Sequence, residues 1–172
     1  MIYRRSQDVL FETQATYVRV PHEAQVECHT QGLDYQAGLH AASHAVLAIL
    51  PLHLMCDPRD VGADCDSPYG QRFRVERVLL YDKQQAGGIG LCAQAAPMFR
   101  LLLVKALQLV GGCPCVRGCP SCTWHTHCPS YNQRLDKGAA IVVLKHILAA
   151  EREKDVMALQ PEGRIISEVS SR

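Results

Sequence analysis

The chain has 172 residues, 48% of them hydrophobic and 20% charged, with a formal net charge of +1, so it is long enough to bury one core and too apolar to be disordered. The near-neutral balance excludes a global electrostatic pull toward nucleic acid or an anionic membrane. The longest apolar runs, 45–56 and 101–109, are interrupted and fall short of the roughly 20 residues a bilayer requires.

The first eight residues carry no secretory apolar region. The expectation is an intracellular protein with no membrane partner, in the nucleus if the source is a eukaryote and in the cytoplasm if it is a prokaryote.

Residues 9–20 alternate loosely and stop at Pro21, which predicts one or two strands, and 24–28 predicts another short strand before Gly32 breaks the pattern. From 35 to about 50 strong helix formers place Leu39, Val46, Leu47 and Leu50 on one stripe, and Pro51 ends or bends that helix. Residues 56–70 are rich in turn formers and carry Asp57, Asp60, Asp64 and Asp66, which predicts a loop whose acidic spacing does not match a calcium site. The clearest strand is 75–81. After Gly87-Gly88-Ile89-Gly90 a long helix is predicted over about 89–110, kinked or split at Pro97. A cysteine-rich loop fills 111–134, and a last helix runs from Asp136, a good N-cap, to about 154. These elements predict an α+β fold: a small, mostly antiparallel sheet, three main helices and a cysteine loop, in one domain over 1–154 with a polar tail at 155–172.

Nine cysteines are present, and five of them (Cys113, Cys115, Cys119, Cys122 and Cys128) lie within sixteen residues. Such a dense cluster, without a secretory leader, reads as a metal site rather than a disulfide framework. Four thiolates suit one tetrahedral structural Zn2+, although an iron–sulfur cluster uses the same donors. Five candidates compete for four positions. Cys115, Cys119, Cys122 and Cys128 are favoured, because Cys113 and Cys115 stand one residue apart and such neighbours point opposite ways. Cys113 is the reserve, and His125 or His127 a weaker substitute.

His40 and His44 are four residues apart on the first long helix and share a face. A zinc hydrolase helix would carry Glu after the first His, where this chain has Ala41, so packing histidines are favoured over a metalloenzyme site. Gly87-Gly88-Ile89-Gly90 lacks both the Gly-Lys-Ser/Thr ending and the GxGxxG spacing of nucleotide loops, and reads as a tight turn. No catalytic residue and no nucleotide cofactor site is assigned. Arg72, Arg74, Arg77, Arg100, Lys105 and Arg117 are the cations available to a groove for single-stranded DNA.

Five motifs occur in order: Gly38-Leu39-His40-Ala41-Ala42-x-His44-Ala45; Cys56-Asp57-Pro58-Arg59-Asp60-Val61-Gly62; Tyr81-Asp82 leading to Gly87-Gly88-Ile89-Gly90-Leu91; the cysteine series; and Leu135-Asp136-Lys137-x-Ala139-Ala140. Over about residues 1–152 this resembles the C-terminal zinc-binding domain of the mitomycin-repair helicase A type, superfamily-two DEAD/DEAH-box DNA helicases that include the RecQ-related Hrq helicases. The resemblance implies a part of an ATP-dependent 3′–5′ DNA helicase acting in repair, with the zinc domain packed on the ATPase core and DNA reached through that core. It carries over Cys115, Cys119, Cys122 and Cys128 as zinc ligands. His40, His44, Asp57, Asp60, Tyr81, Asp82, Gly87, Gly88 and Gly90 carry over as signature residues. Ser43 between the histidines, Lys83-Gln84-Gln85-Ala86 after Tyr81-Asp82, and the stretch after Cys128 depart from the family pattern.

No Walker A loop and no DExH box occurs in the sequence. The function expected is therefore a zinc-stabilised accessory domain or fragment that is not an enzyme on its own. The alternatives are a free-standing zinc-dependent module that binds single-stranded DNA or protein, and a metalloenzyme using His40 and His44.

Overall fold

A computed structural model describes residues 13–65, 76–83 and 88–153. The amino-terminal part of the expected first strand, the beginning of the 75–81 strand, Gly87 and the tail at 155–172 lie outside the described residues, as do Arg72 and Arg74.

The elements run β1 (Ala15–Arg19), α1 (His22–Thr30), α2 (Tyr35–Ile49), β2 (Val61–Asp64), β3 (Arg77–Asp82), α3 (Leu91–Ala95), α4 (Phe99–Gly112) and α5 (Lys137–Glu153). The α+β class holds, with one three-stranded antiparallel sheet ordered β1-β3-β2. β3 is central, with Tyr17 opposite Leu79 on one side and Ala63 opposite Leu80 on the other. Its apolar run Val78-Leu79-Leu80 is buried, as a middle strand with both edges paired should be.

Two short expectations fail. Residues 24–28 belong to α1, where Ala24 and Cys28 share the buried face four residues apart while Val26 is half exposed. The loop at 56–70 contains β2, whose Val61 and Gly62 are buried against β3. Both segments are too short for their own pattern to decide, and packing chooses the state.

α2 is the centre of the molecule. Twelve of its fifteen residues are buried, the mark of a helix covered on nearly every side. It lies between the sheet on one flank and α4 and α5 on the other. The approach to α5 is close because position 38 is glycine: a Cβ there would stand 2.4 Å from Cβ of Ala139. Asp34 caps α2 by accepting from Ala37 N–H at 3.1 Å, and Leu50–Leu52 closes it in a tight turn around Pro51.

Pro97 splits the next helix as expected, through a single 3₁₀ turn (Ala96–Met98) between α3 and α4. Taken together, Leu91–Gly112 is 22 residues long and apolar enough to cross a membrane by length and composition alone. In the fold, Leu102, Leu103, Ala106 and Val110 are fully buried, and α4 packs on α2 and α5.

The turn from β3 into α3 is organised by Asp82, a buried carboxylate. Its Oδ2 accepts from the N–H groups of Ile89 (3.0 Å), Gly90 (2.8 Å) and Leu91 (3.1 Å), and Oδ1 accepts from Cys92 (2.9 Å). Asp82 thus fills the helix N-terminus where a phosphate would otherwise bind. Gly88 has φ 76° and its missing Cβ leaves room for that carboxylate, 2.7 Å away.

Candidate metal centre

α4 ends at Gly112, and the chain turns outward through Cys113-Pro114-Cys115 before folding back at Gly118. Cys119 begins a turn in which its carbonyl accepts from the N–H groups of Cys122, Thr123 and Trp124 at 3.0–3.2 Å. That turn swings Cys122 back over Cys119, as a CxxC pair requires.

Four sulfurs converge here. Cys113, Cys115, Cys119 and Cys122 have their Sγ atoms within 4.8 Å of one another. Individual separations are 3.5 Å (Cys113–Cys119), 3.5 Å (Cys115–Cys122) and 3.7 Å (Cys119–Cys122). A tetrahedral zinc with Zn–S bonds near 2.3 Å needs sulfur–sulfur edges of about 3.8 Å, so the donor set fits the ion.

The electrostatics agree. Burial pushes the Cys122 thiol up to about 12, whereas the Ser121 N–H, helped by the neighbouring sulfurs, holds Cys119 down to about 7. Several thiolates cannot share this space uncompensated, and a divalent cation removes the conflict. Lys137, buried at the start of α5, donates from Nζ to the carbonyls of Cys113 (2.5 Å) and Cys115 (2.6 Å). A cation fixed there offsets the negative charge of a four-thiolate zinc site and pins the strand that bears two of its donors.

Cys128 departs from the expected set of Cys115, Cys119, Cys122 and Cys128. It is buried six residues beyond Cys122, at the other end of a tight turn, and its sulfur lies 3.4 Å from Nε2 of His40. The sulfur that joins Cys115, Cys119 and Cys122 is that of Cys113, the reserve. The one-residue argument against pairing Cys113 with Cys115 assumed strand-like alternation. Instead, both carbonyls bend toward Lys137, and the two thiols fall on the same side.

His40 and His44 stand edge to face with ring centroids 4.3 Å apart, and with Cys128 they form a second compact group of donors. His125 and His127 continue the row, at 5.6 Å from His44 and 5.8 Å from His125 respectively, outside the four-cysteine group. Burial holds His40 and His44 below the usual imidazole range, His44 at about 4, so both are neutral near pH 7. Trp124 is half exposed beside the loop. Arg77 lies over the Tyr17 ring at 5.6 Å, on the sheet, while Arg100 and Lys105 belong to α4 and Arg117 to the loop.

Lys137 and the Thr123 carbonyl were not singled out from the sequence. For Lys137 a signal existed, a cation at the first position of a helix, where the macrodipole disfavours it.

The family model for the MrfA zinc-binding domain matches residues 42–123, from the middle of α2 through the last of the four clustered cysteines. An uncharacterized protein of Methanocaldococcus jannaschii is 30% identical over 113 residues, 64% of this chain and 100% of the archaeal one. The chain belongs to the MrfA zinc-binding domain family. Members of this family also sit inside far longer proteins. ATP-dependent helicase HRQ1 of Saccharomyces cerevisiae is 26% identical over 163 residues, 90% of this chain but 15% of the helicase. The Schizosaccharomyces pombe helicase hrq1 is 30% identical over 139 residues, 73% of this chain and 13% of the helicase.

A crystal structure of the helicase MrfA bound to DNA shares the fold, with a TM-score of 0.56 at 23% identity over 79% of this chain and 17% of that one. A second, of MrfA bound to DNA and AMPPNP, gives 0.52 at 25% identity over 76% of this chain and 15% of that one. The chain thus corresponds to a zinc-binding region found in Hrq- and MrfA-type helicases, and its four-cysteine cluster fits one structural zinc ion.

Proposed function

We propose that this chain is the zinc-stabilised accessory domain of an ATP-dependent DNA helicase, docking on the ATPase core and meeting DNA through it. Cys113, Cys115, Cys119 and Cys122 hold the zinc, which closes the loop after α4 and contributes its binding free energy to folding, while Lys137 links that loop to the start of α5. Repair of DNA with 3′–5′ unwinding is the activity of the whole machine, to which this domain adds no chemistry of its own. The setting is intracellular, where thiols stay reduced.

The observation that carries this reading is the group of four converging sulfurs inside a fold shared with a DNA-bound helicase. The test mixes the purified chain with the ATPase core of the S. cerevisiae relative lacking its own matching region. Zinc-loaded chain should bind that core and show no ATP hydrolysis by itself, with or without DNA. Hydrolysis by the chain alone, or equal binding by the zinc-free Cys122→Ser variant, refutes the proposal.

The M. jannaschii relative, matched along its whole length, favours a second reading in which such a domain acts as a separate chain on its partner in trans. The same binding experiment addresses both.

A further inference from the structure

The group formed by His40, His44 and Cys128 is not used by the structural zinc. Its three donor atoms lie within 4.8 Å of one another, contributed by adjacent turns of α2 and by the loop that follows the cysteine cluster. Nε2 of His40 is 3.4 Å from Sγ of Cys128. Around a tetrahedral zinc with bonds near 2.3 Å to sulfur and 2.0–2.1 Å to nitrogen, a sulfur–nitrogen edge measures about 3.6 Å.

The hydrogen bonding around the group prepares it for a cation. His44 Nδ1 is 2.8 Å from the Thr123 carbonyl, which only accepts, so Nδ1 carries the proton and Nε2 keeps the lone pair. That is the arrangement in which a backbone carbonyl orients a metal-bound histidine. Beyond the group, Nε2 of His125 is buried with no hydrogen-bond partner among the described residues. His40 and His44 also line a cleft of about 360 Å³ shared with Asp64 and Cys65.

We propose that His40, His44 and Cys128 form a second zinc site, distinct from the four-cysteine site and open toward the cleft at its fourth position. Binding replaces the Cys128 thiol proton, which leaves to solvent, with a Zn–S bond, while the two imidazoles stay neutral. The resulting charge of the zinc, one thiolate and two neutral rings is positive, and Asp64 lies close enough to act electrostatically on His40. A closed thiol–imidazole hydrogen bond is the competing account of the same distances, and metal counting separates the two.

The full chain is loaded with zinc sulfate, dialysed against metal-free buffer, and its zinc measured by mass spectrometry alongside circular dichroism. About two zinc ions per chain are expected for wild type, falling to about one in His44→Gln and in Cys128→Ser with the helical signal retained. Cobalt titration gives a second readout that does not depend on zinc retention. The first equivalent should show the intense sulfur-to-cobalt absorption of four thiolates. The second should show a weaker band that vanishes in Cys128→Ser. A wild-type content of one zinc, or a second equivalent that persists in both variants, overturns the assignment. Loss of the four-cysteine metal alone, as in Cys122→Ser, bears on the proposed function and leaves the second count readable.

Discussion

Replacing Asp82 by alanine tests whether a side chain, rather than the zinc, sets the entry into α3. The carboxylate satisfies four backbone donors at 2.8–3.1 Å, of which the bonds to Leu91 N–H and Cys92 N–H are buried. Each buried donor left unpaired costs about 1–3 kcal/mol, and the two more accessible ones recover water. A loss of about 3–5 kcal/mol is expected for Asp82→Ala, a large part of the ~5–15 kcal/mol that holds a domain together. Asp82→Asn keeps the volume and one acceptor oxygen but turns an amide N–H₂ toward a backbone N–H, and should cost about 1–3 kcal/mol. Urea denaturation of zinc-saturated protein, followed by circular dichroism with the slope held constant, measures both. Zinc content should not change. A shift below about 1 kcal/mol for Asp82→Ala would refute the argument that these donors depend on Asp82.

Stripping the zinc with a chelator should expose Arg117 in the cysteine loop to trypsin, whereas zinc-loaded protein resists cleavage there; equal rates would sink the structural role assigned to the metal. Lys137→Met removes the cation bonded to the Cys113 and Cys115 carbonyls and should weaken zinc binding about 10–100-fold, read by competition with a chromogenic chelator. Gly38→Ala forces α2 and α5 apart and should cost about 1–3 kcal/mol in the same urea assay. Asp34 has its carboxyl held below the usual 3.8 chiefly by the Ala37 N–H, so its capping is intact above pH 3.8 and fades as the pH falls through the lower folded value. Asp34→Asn should therefore flatten the acid side of the stability curve, measured as denaturation midpoint against pH.

The long elements were legible because each carries its own signal. α2 combines an N-capping aspartate, a run of good helix formers and a stop at Pro51, and α5 repeats the pattern from Asp136, whose Oδ1 accepts from Ala139 N–H at 3.0 Å. Pro97 announced the break between α3 and α4 for a steric reason that needs no tertiary context. α1 was misread because its residues, His22–Thr30, have no strong stripe, and only burial of Ala24 and Cys28 against the core makes them a helix. At the metal centre, residue spacing along the chain carried the CxxC pair. The division of labour between Cys113 and Cys128 was illegible, because it depends on Lys137 drawing one end of the loop inward and on α2 presenting His40 to the other.

That division also orders events in time. Cys115 and Cys122 are seven positions apart, while His40 and Cys128 are separated by 88. Bringing the distant pair together costs about 2 kcal/mol more in loop-closure entropy than closing the short loop. A chain still emerging from the ribosome has the short loop complete before α5 is made, so a metal ion captured by the four sulfurs can shape it early. The histidine–cysteine group assembles only when α2 and the far loop have met, so whatever occupies it reports that this long-range contact has formed.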